Sequence, residues 1–290
     1  MSLLDKLNGK QNTFSLEFFP PKKDMPLSSV FGAIEKLAVY DPAFVSVTYG
    51  AGGSNKDGTI GIVSHIKDTV GLDTIAHLTC VGADSDSINE ILAKLESINV
   101  KNVLALRGDI PEGMDKKSAF VYYQHASDLI SEIKKRAGFT VAAAAYPEAH
   151  VESPSLDQDM AFMRLKAELG ADFFITQLCF DKHSIVRFYE KLYIAGVAVP
   201  VITGIMPILN PNQIIRMSLL SACSIPAALS KIICRYGEDP EEFKKAGLAY
   251  AIEEIDYLIS NGITKFHLYT MNKASAVEQI ILGSRLAPIT

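Results

Sequence analysis

TIAHLTCVGADSDSINEILAKLESINVKNVLALR, residues 74–107, contains one full period of the pattern that decides the fold. TIAHLT is a nearly continuous apolar run of strand length, the signature of a strand buried on both faces of a parallel sheet. Asp84 to Val100 then places Ile88, Ile91, Leu92, Leu95 and Ile98 on one helical stripe, with Ser87 and Glu90 read as its capping box. NVLALR, from 102, is the next strand.

The same unit recurs outward from there. FSLEFF (from 14), FVSVTY (44), TVAAAAY (140), DFFITQL (172), VPVITGI (199) and TKFHLY (264) are strands of the same kind. Amphipathic segments lie between them, such as Ser155 to Gly170, which starts with Ser and stops at Gly. Gly71, Gly138, Gly170, Gly196 and Gly262 stand where helices should end before the next strand. Successive strand starts lie 30, 30, 28, 38, 32, 27 and 65 residues apart, so most intervals hold one βα unit. The last interval holds extra helices, around 211–221, 226–236 and 240–260. No Pro/Gly/Ser-rich linker divides the chain. The pattern predicts an α/β fold, a (βα)8 TIM barrel, as a single domain over residues 1–290 with extra helices between strands 7 and 8. A doubly wound open sheet is the alternative.

Composition narrows the function. The 290 residues carry 28 Lys and Arg against 33 Asp and Glu, a net charge of −5, with 48% hydrophobic and 21% charged residues. That is a globular composition with no general attraction for nucleic acid or anionic lipid. Cys80, Cys179, Cys223 and Cys234 form no CxxC pair and no zinc spacing, so reduced thiols and a cytoplasmic location are expected. The N-terminal residues show no signal-peptide core. Leu192 to Ile215 is uncharged over 24 residues, but Pro200, Pro207 and Pro211 would break a spanning helix. It is read as a buried strand with its following loop.

Polar residues gather at the C-terminal ends of the strands. They are Glu17, Thr48 and Tyr49, His77 and Thr79, Arg107-Gly108-Asp109, Tyr146, Gln177 and Tyr269. Active sites of barrel enzymes occupy that face. Glu17 is followed by Phe18 and Phe19, so a raised carboxyl pKa and a general-acid role are expected. A structural ion pair between Glu17 and Arg107 is the competing explanation. GAGGSN at 50–55 lacks the final Gly or Ala of a dinucleotide fingerprint, and no P-loop, HExxH or DxDxDG run occurs. His77, His150 and His267 have no neighbouring carboxylate or HxH pair to suggest a metal, and none is expected. Lys166 and Lys265 do not sit at strand ends, where a Schiff-base lysine would stand.

LEFFPPK at 16–22, FVSVTYGAGG at 44–53, HLTC at 77–80, LALRGDIP at 104–111, AAYPEAH at 144–150, FITQLCFD at 174–181 and HLYTMN at 267–272 stand in order. Together they resemble the 5,10-methylenetetrahydrofolate reductase family, bacterial type, from about residue 13 to the C-terminus. The resemblance implies a (βα)8 flavoenzyme in which hydride passes from NADH or NADPH to non-covalent FAD. The reduced flavin then converts 5,10-methylenetetrahydrofolate to 5-methyltetrahydrofolate on the same face. It implies Glu17 as proton donor to N10, Asp109 between flavin and folate, and Gln177 as a mobile folate contact. FAD is implied at Thr48, Tyr49, Ala51, His77, Arg107, Gly108, Asp109, Ala126, Tyr146, His150, Asp159 and Lys166. Gln213 and Lys273 are implied as further folate contacts. A homo-oligomer, dimer or tetramer, is also implied.

Each of these positions also has a plainer structural role open to it: loop capping for Asp109 and a solvated helix face for Asp159 and Lys166. The chain departs from the enterobacterial pattern at Phe162 (Asn there), Leu165 (Arg), His125 (often Tyr), Met217 (aromatic) and Lys273 (Arg). Cofactor grip and nucleotide preference are therefore expected to differ. The length leaves no room for the regulatory domain of eukaryotic relatives, so no S-adenosylmethionine inhibition is expected. A barrel lyase or hydrolase using Glu17 and Asp109 without flavin stays open. So does a flavin- or folate-binding barrel without turnover.

Overall fold

Every β-branched run of the sequence becomes a strand, because each has a core to face on both sides. The computed structural model describes residues 2–9, 11–21, 25–49, 56–111 and 113–287. β1 (Thr13–Phe18), β2 (Val45–Val47), β3 (Thr74–Thr79), β4 (Asn102–Leu106), β5 (Thr140–Ala145), β6 (Phe173–Thr176), β7 (Val201–Ile205) and β8 (Lys265–Tyr269) pair in chain order, and β8 closes on β1. All eight pairings are parallel. The TIM barrel expectation holds and the open sheet is excluded.

The helices are α1 (Leu3–Asn8), α2 (Ser28–Ala38), α3 (Lys56–His65), α4 (Ser85–Ser97), α5 (Lys116–Ala119), α6 (Ala126–Lys134), α7 (Leu156–Glu168), α8 (Lys182–Ile194), α9 (Pro211–Ser221), α10 (Ala227–Tyr236), α11 (Pro240–Ser260) and α12 (Ala274–Gly283). α9, α10 and α11 fill the long interval between β7 and β8, close to the expected bounds. Gly71, Gly138, Gly170, Gly196 and Gly262 all have positive φ. The cap of α4 lies three residues earlier than the sequence suggested, at Asp84 rather than Ser87. Asp84 is the N-cap, its Oδ1 accepting from Ser87 N at 2.8 Å while Ser87 Oγ accepts from Asp84 N at 3.0 Å. Asp84 outcompetes Ser87 as the cap because a carboxylate accepts more strongly at a helix N-terminus.

Two apolar layers follow from strand alternation. Leu16, Phe18, Val45, Val47, Leu78, Val103 and Val141 point outward and pack with helix residues such as Ile34, Leu92, Leu95 and Ile130. Phe44, Ile75, Leu104, Ala142, Phe173, Ile175 and Ile202 point inward, and Leu3 and Leu7 of α1 pack onto this inner cluster. Each fully buried Leu, Ile or Phe contributes about 1.5–3 kcal/mol. α1 thus covers the N-terminal end of the barrel, held also by Lys6 on Asp73 at 3.3 Å. The polar strand ends lie at the opposite mouth. The uncharged stretch 192–215 is the end of α8, then β7, its loop and the start of α9. Among the described residues no helix is long and apolar enough to cross a membrane.

Candidate active site

At the mouth two cavities adjoin, and Tyr146 lines both. The inner one, about 340 Å³, is walled by Glu17, Thr48, Tyr49, His77, Thr79, Gly108, Asp109, Gln177 and Tyr269. These are the polar strand ends picked out from sequence, now on one surface. The outer one, about 290 Å³, runs between the β4 and β5 loops and α7, and is lined by Arg107, His125, Ala126, His150, Asp159, Phe162, Leu165 and Lys166. Ala51 and the GAGGSN segment lie outside the described residues. Gln213 and Lys273 line neither cavity. Gln213 is used locally, its Oε1 accepting from Leu209 N at 3.1 Å and its Nε2 facing Met206 Sδ. Lys273 is exposed beside the start of α12.

Glu17 sits at the floor of the inner cavity with 18% of its side chain exposed. Strand alternation turns Phe18 into the outer layer and leaves Phe19 at the surface, so neither aromatic surrounds the carboxyl. Its Oε2 instead lies 3.5 Å from His267 Nε2 and 3.6 Å from His77 Nε2. Burial raises its pKa, but the His267 hydrogen bond and the positive charges available on His77 and His267 lower it more, and the net direction is down. The expected high carboxyl pKa is therefore corrected: the partners of Glu17 are imidazoles, not apolar rings. The Glu17–Arg107 ion pair does not form either, since Arg107 pairs with Glu152 at 2.5 Å.

His267 was overlooked by sequence reasoning as anything but a doubtful metal ligand. It is wholly buried, with Nδ1 2.7 Å from Ser15 Oγ and Nε2 3.3 Å from Ser46 Oγ. The β1–β8 register puts Ser15 opposite His267, and the β1–β2 register puts Glu17 opposite Ser46. Ser15 donates its hydroxyl to Phe266 O at 3.1 Å, so it accepts from His267 Nδ1–H. Its Nε2 then faces both the Glu17 carboxylate and the Ser46 hydroxyl. His77, by contrast, is pushed down to about 4, first by burial, and is neutral at pH 7.

Two glycines shape the mouth. A Cβ on Gly204 would meet Thr176 O and the Tyr269 ring at 2.6 Å, so its absence lets Tyr269 lie across the barrel and donate to Thr176 O at 2.6 Å. Gly108 has φ +83, and a Cβ there would meet Thr79 Cβ and Val81 Cγ1 at 2.9 Å. That turn carries Arg107 toward the outer cavity and Asp109 to the exposed rim of the inner one.

The outer cavity is lined by two cationic side chains, Arg107 and Lys166, beside the carboxylates of Glu152 and Asp159. The Arg107 guanidinium lies 4.5 Å from the Phe120 ring centre, and its Nε is buried with no partner among the described residues. Lys166 on α7 donates to Ala144 O at 2.5 Å, and burial lowers its pKa to about 8 against the opposing pull of Asp159. Asp159 is buried and accepts from His150 N at 2.6 Å, which fixes the β5 loop. Asp159 and Lys166 therefore both face the cavity rather than solvent. Tyr146 meets the His150 ring edge-on at 4.7 Å, and burial pushes its phenol up to about 12. Tyr49 Oη, His77 Nε2 and Thr79 Oγ1 are further buried polar atoms that make no hydrogen bond among the described residues, all on inner-cavity residues. Orphaned polar atoms of this density call for a polar ligand. Among the described residues no three His, Cys, Asp or Glu side chains converge as a metal site would need.

Fold and site together define a barrel enzyme with two adjoining cavities at its C-terminal mouth, the inner one lined by a buried carboxyl. The model of the methylenetetrahydrofolate reductase family matches residues 2–284, and the chain belongs to that family. It is 35% identical over 271 residues to 5,10-methylenetetrahydrofolate reductase of Escherichia coli, covering 93% of this chain and 90% of that one. It is also 35% identical to methylenetetrahydrofolate reductase (NADH) 1 of Arabidopsis thaliana, covering 98% of this chain but 50% of that one. The chain thus spans about half the length of the plant relative. Among solved structures, a Clostridium thermocellum protein described as binding two copies of 5-methyl-5,6,7,8-tetrahydrofolic acid superposes with a TM-score of 0.64 at 18% identity. It covers 99% of both chains and supports the fold alone.

Proposed function

We propose that this chain is a flavin-dependent 5,10-methylenetetrahydrofolate reductase using NADH or NADPH, acting by a ping-pong sequence in one cleft. The observation that carries the proposal is the pair of cavities joined at Tyr146, one lined by Arg107 and Lys166, the other floored by Glu17 and rimmed by Asp109. FAD fits the residues present. Arg107 and Lys166 supply charge for its pyrophosphate, and the polar atoms of Tyr49, His77 and Thr79 that make no hydrogen bond among the described residues offer contacts for its ring end. When bound, it accepts a hydride from the nicotinamide and returns it to the folate.

The chain's own residues do the rest. The methylene bridge of the folate accepts hydride only after its five-membered ring opens, which needs a proton on N10. Glu17 supplies it, and Ser15 and Ser46 hold the His267 ring beside its carboxyl. Ring opening leaves a cation at N5, and the Asp109 carboxylate at the rim stabilises it. Gln177 lines the same cavity as Asp109 and is the contact for the pterin. Its Oε1 is engaged with Leu178 N at 2.8 Å, leaving its amide nitrogen for the ligand.

An anaerobic titration tests this. NADH or NADPH should bleach the flavin absorbance of the purified or FAD-reconstituted protein, and methylenetetrahydrofolate should restore it. Protein that takes up no FAD, or that bleaches and never recovers with folate, would contradict the proposal.

A further inference from the structure

Glu152 lies in the loop between β5 and α7 and lines the outer cavity. Its carboxylate bridges Arg107, which lines that cavity, and Lys116 of α5 just outside it. Oε2 is 2.5 Å from Arg107 Nη1, and Oε1 is 3.3 Å from Lys116 Nζ. A diphosphate drawn to Arg107 would compete with this carboxylate. Arg107 does not depend on Glu152 for its placement. Its guanidinium stacks on Phe120 at 4.5 Å and its stem is buried. The loop does not depend on the carboxylate either: Glu152 N donates to His150 Nδ1 at 3.1 Å and Ser153 N to His150 O at 2.8 Å. With 48% of its side chain exposed, Glu152 can swing into solvent at little cost.

We propose that Glu152 is a displaceable counter-ion on Arg107 and Lys116 that competes with a diphosphate ligand and so sets how tightly it binds. The inference rests on the outer cavity taking the diphosphate part of the cofactor, as proposed above. A ligand phosphate approaching Arg107 meets a carboxylate at hydrogen-bond distance and must expel it. Like charges that close repel in a site screened less than bulk water. Glu152 keeps Arg107 and Lys116 neutralised until the ligand arrives, and the need to expel it holds affinity below what the two cations alone would give.

The test compares the full chain with its Glu152→Gln and Glu152→Ala variants, titrated calorimetrically with ADP and by flavin fluorescence with FAD and riboflavin. Both variants should bind ADP and FAD about 5- to 20-fold more tightly, with riboflavin, which lacks phosphate, unchanged. The gain should shrink at high salt. Equal or weaker ADP binding by the variants, or ADP binding to none of the three proteins, overturns the inference. A tighter ADP complex in the variants with FAD bound no better than ADP would leave Glu152 its role and sink the flavin proposal instead.

Discussion

Lys166 is a buried side chain through which affinity for the proposed FAD would depend on pH. Burial lowers its pKa to about 8, so the free protein holds it only partly charged in mildly alkaline solution. A diphosphate binds the ammonium form and therefore takes up a proton there. FAD affinity should be flat below pH 7 and fall through pH 8 by up to about tenfold per unit above it. Lys166→Met should bind more weakly and lose this dependence. A binding isotherm series from pH 6 to 10 checks both. Residue by residue, the polar strand ends were legible because an apolar strand that ends in Glu, His or Arg has few structural reasons to do so. The state of Glu17 was not. Its sequence neighbours Phe18 and Phe19 point elsewhere, and its true partners, His77 and His267, come from strands that only closure of the barrel brings together. Glu152 was invisible for a similar reason: a loop glutamate has no periodicity, and its ion pairs reach 45 and 36 residues back along the chain.

At the scale of the element, the β4 loop is the part most sensitive to substitution. Gly108 combines a positive φ with walls 2.9 Å from where a Cβ would lie. Gly108→Ala should cost about 1–3 kcal/mol from the backbone alone and shift Arg107 and Asp109 together. Denaturant unfolding should show the loss in stability, and FAD titration a weaker complex. Unchanged stability and affinity would mean that the turn relaxes freely. Elements were legible where pattern and punctuation agreed: the eight strands, the glycine stops and the three helices before β8 all fall near their expected bounds. The cap of α4 was misplaced because Ser87 with Glu90 and Asp84 with Ser87 both match the capping spacing, and only geometry separates them. The substitutions on α7 also gain meaning here. Phe162 and Leu165 are 46% and 41% exposed and line the outer cavity, so a ligand in that cavity would meet apolar surface on α7.

For the whole molecule, barrel closure turns scattered residues into one cleft. α1 covers one end, so the other mouth is where Glu17, Asp109, Gln177, Arg107 and Lys166 converge. Gln213 and Lys273 stand apart, because the chain order of a motif does not fix how far its loop reaches over the mouth. Under the proposed function both half-reactions would use the same flavin ring, while only the folate half would need a proton at N10. The most direct test is therefore the Glu17→Gln variant, loaded with FAD and followed anaerobically by stopped-flow absorbance. NADH or NADPH should still bleach the flavin within a few-fold of the wild-type rate, while reoxidation by methylenetetrahydrofolate should slow by about 10²–10⁴-fold. Equal slowing of both phases, or reoxidation at the wild-type rate, would contradict the account.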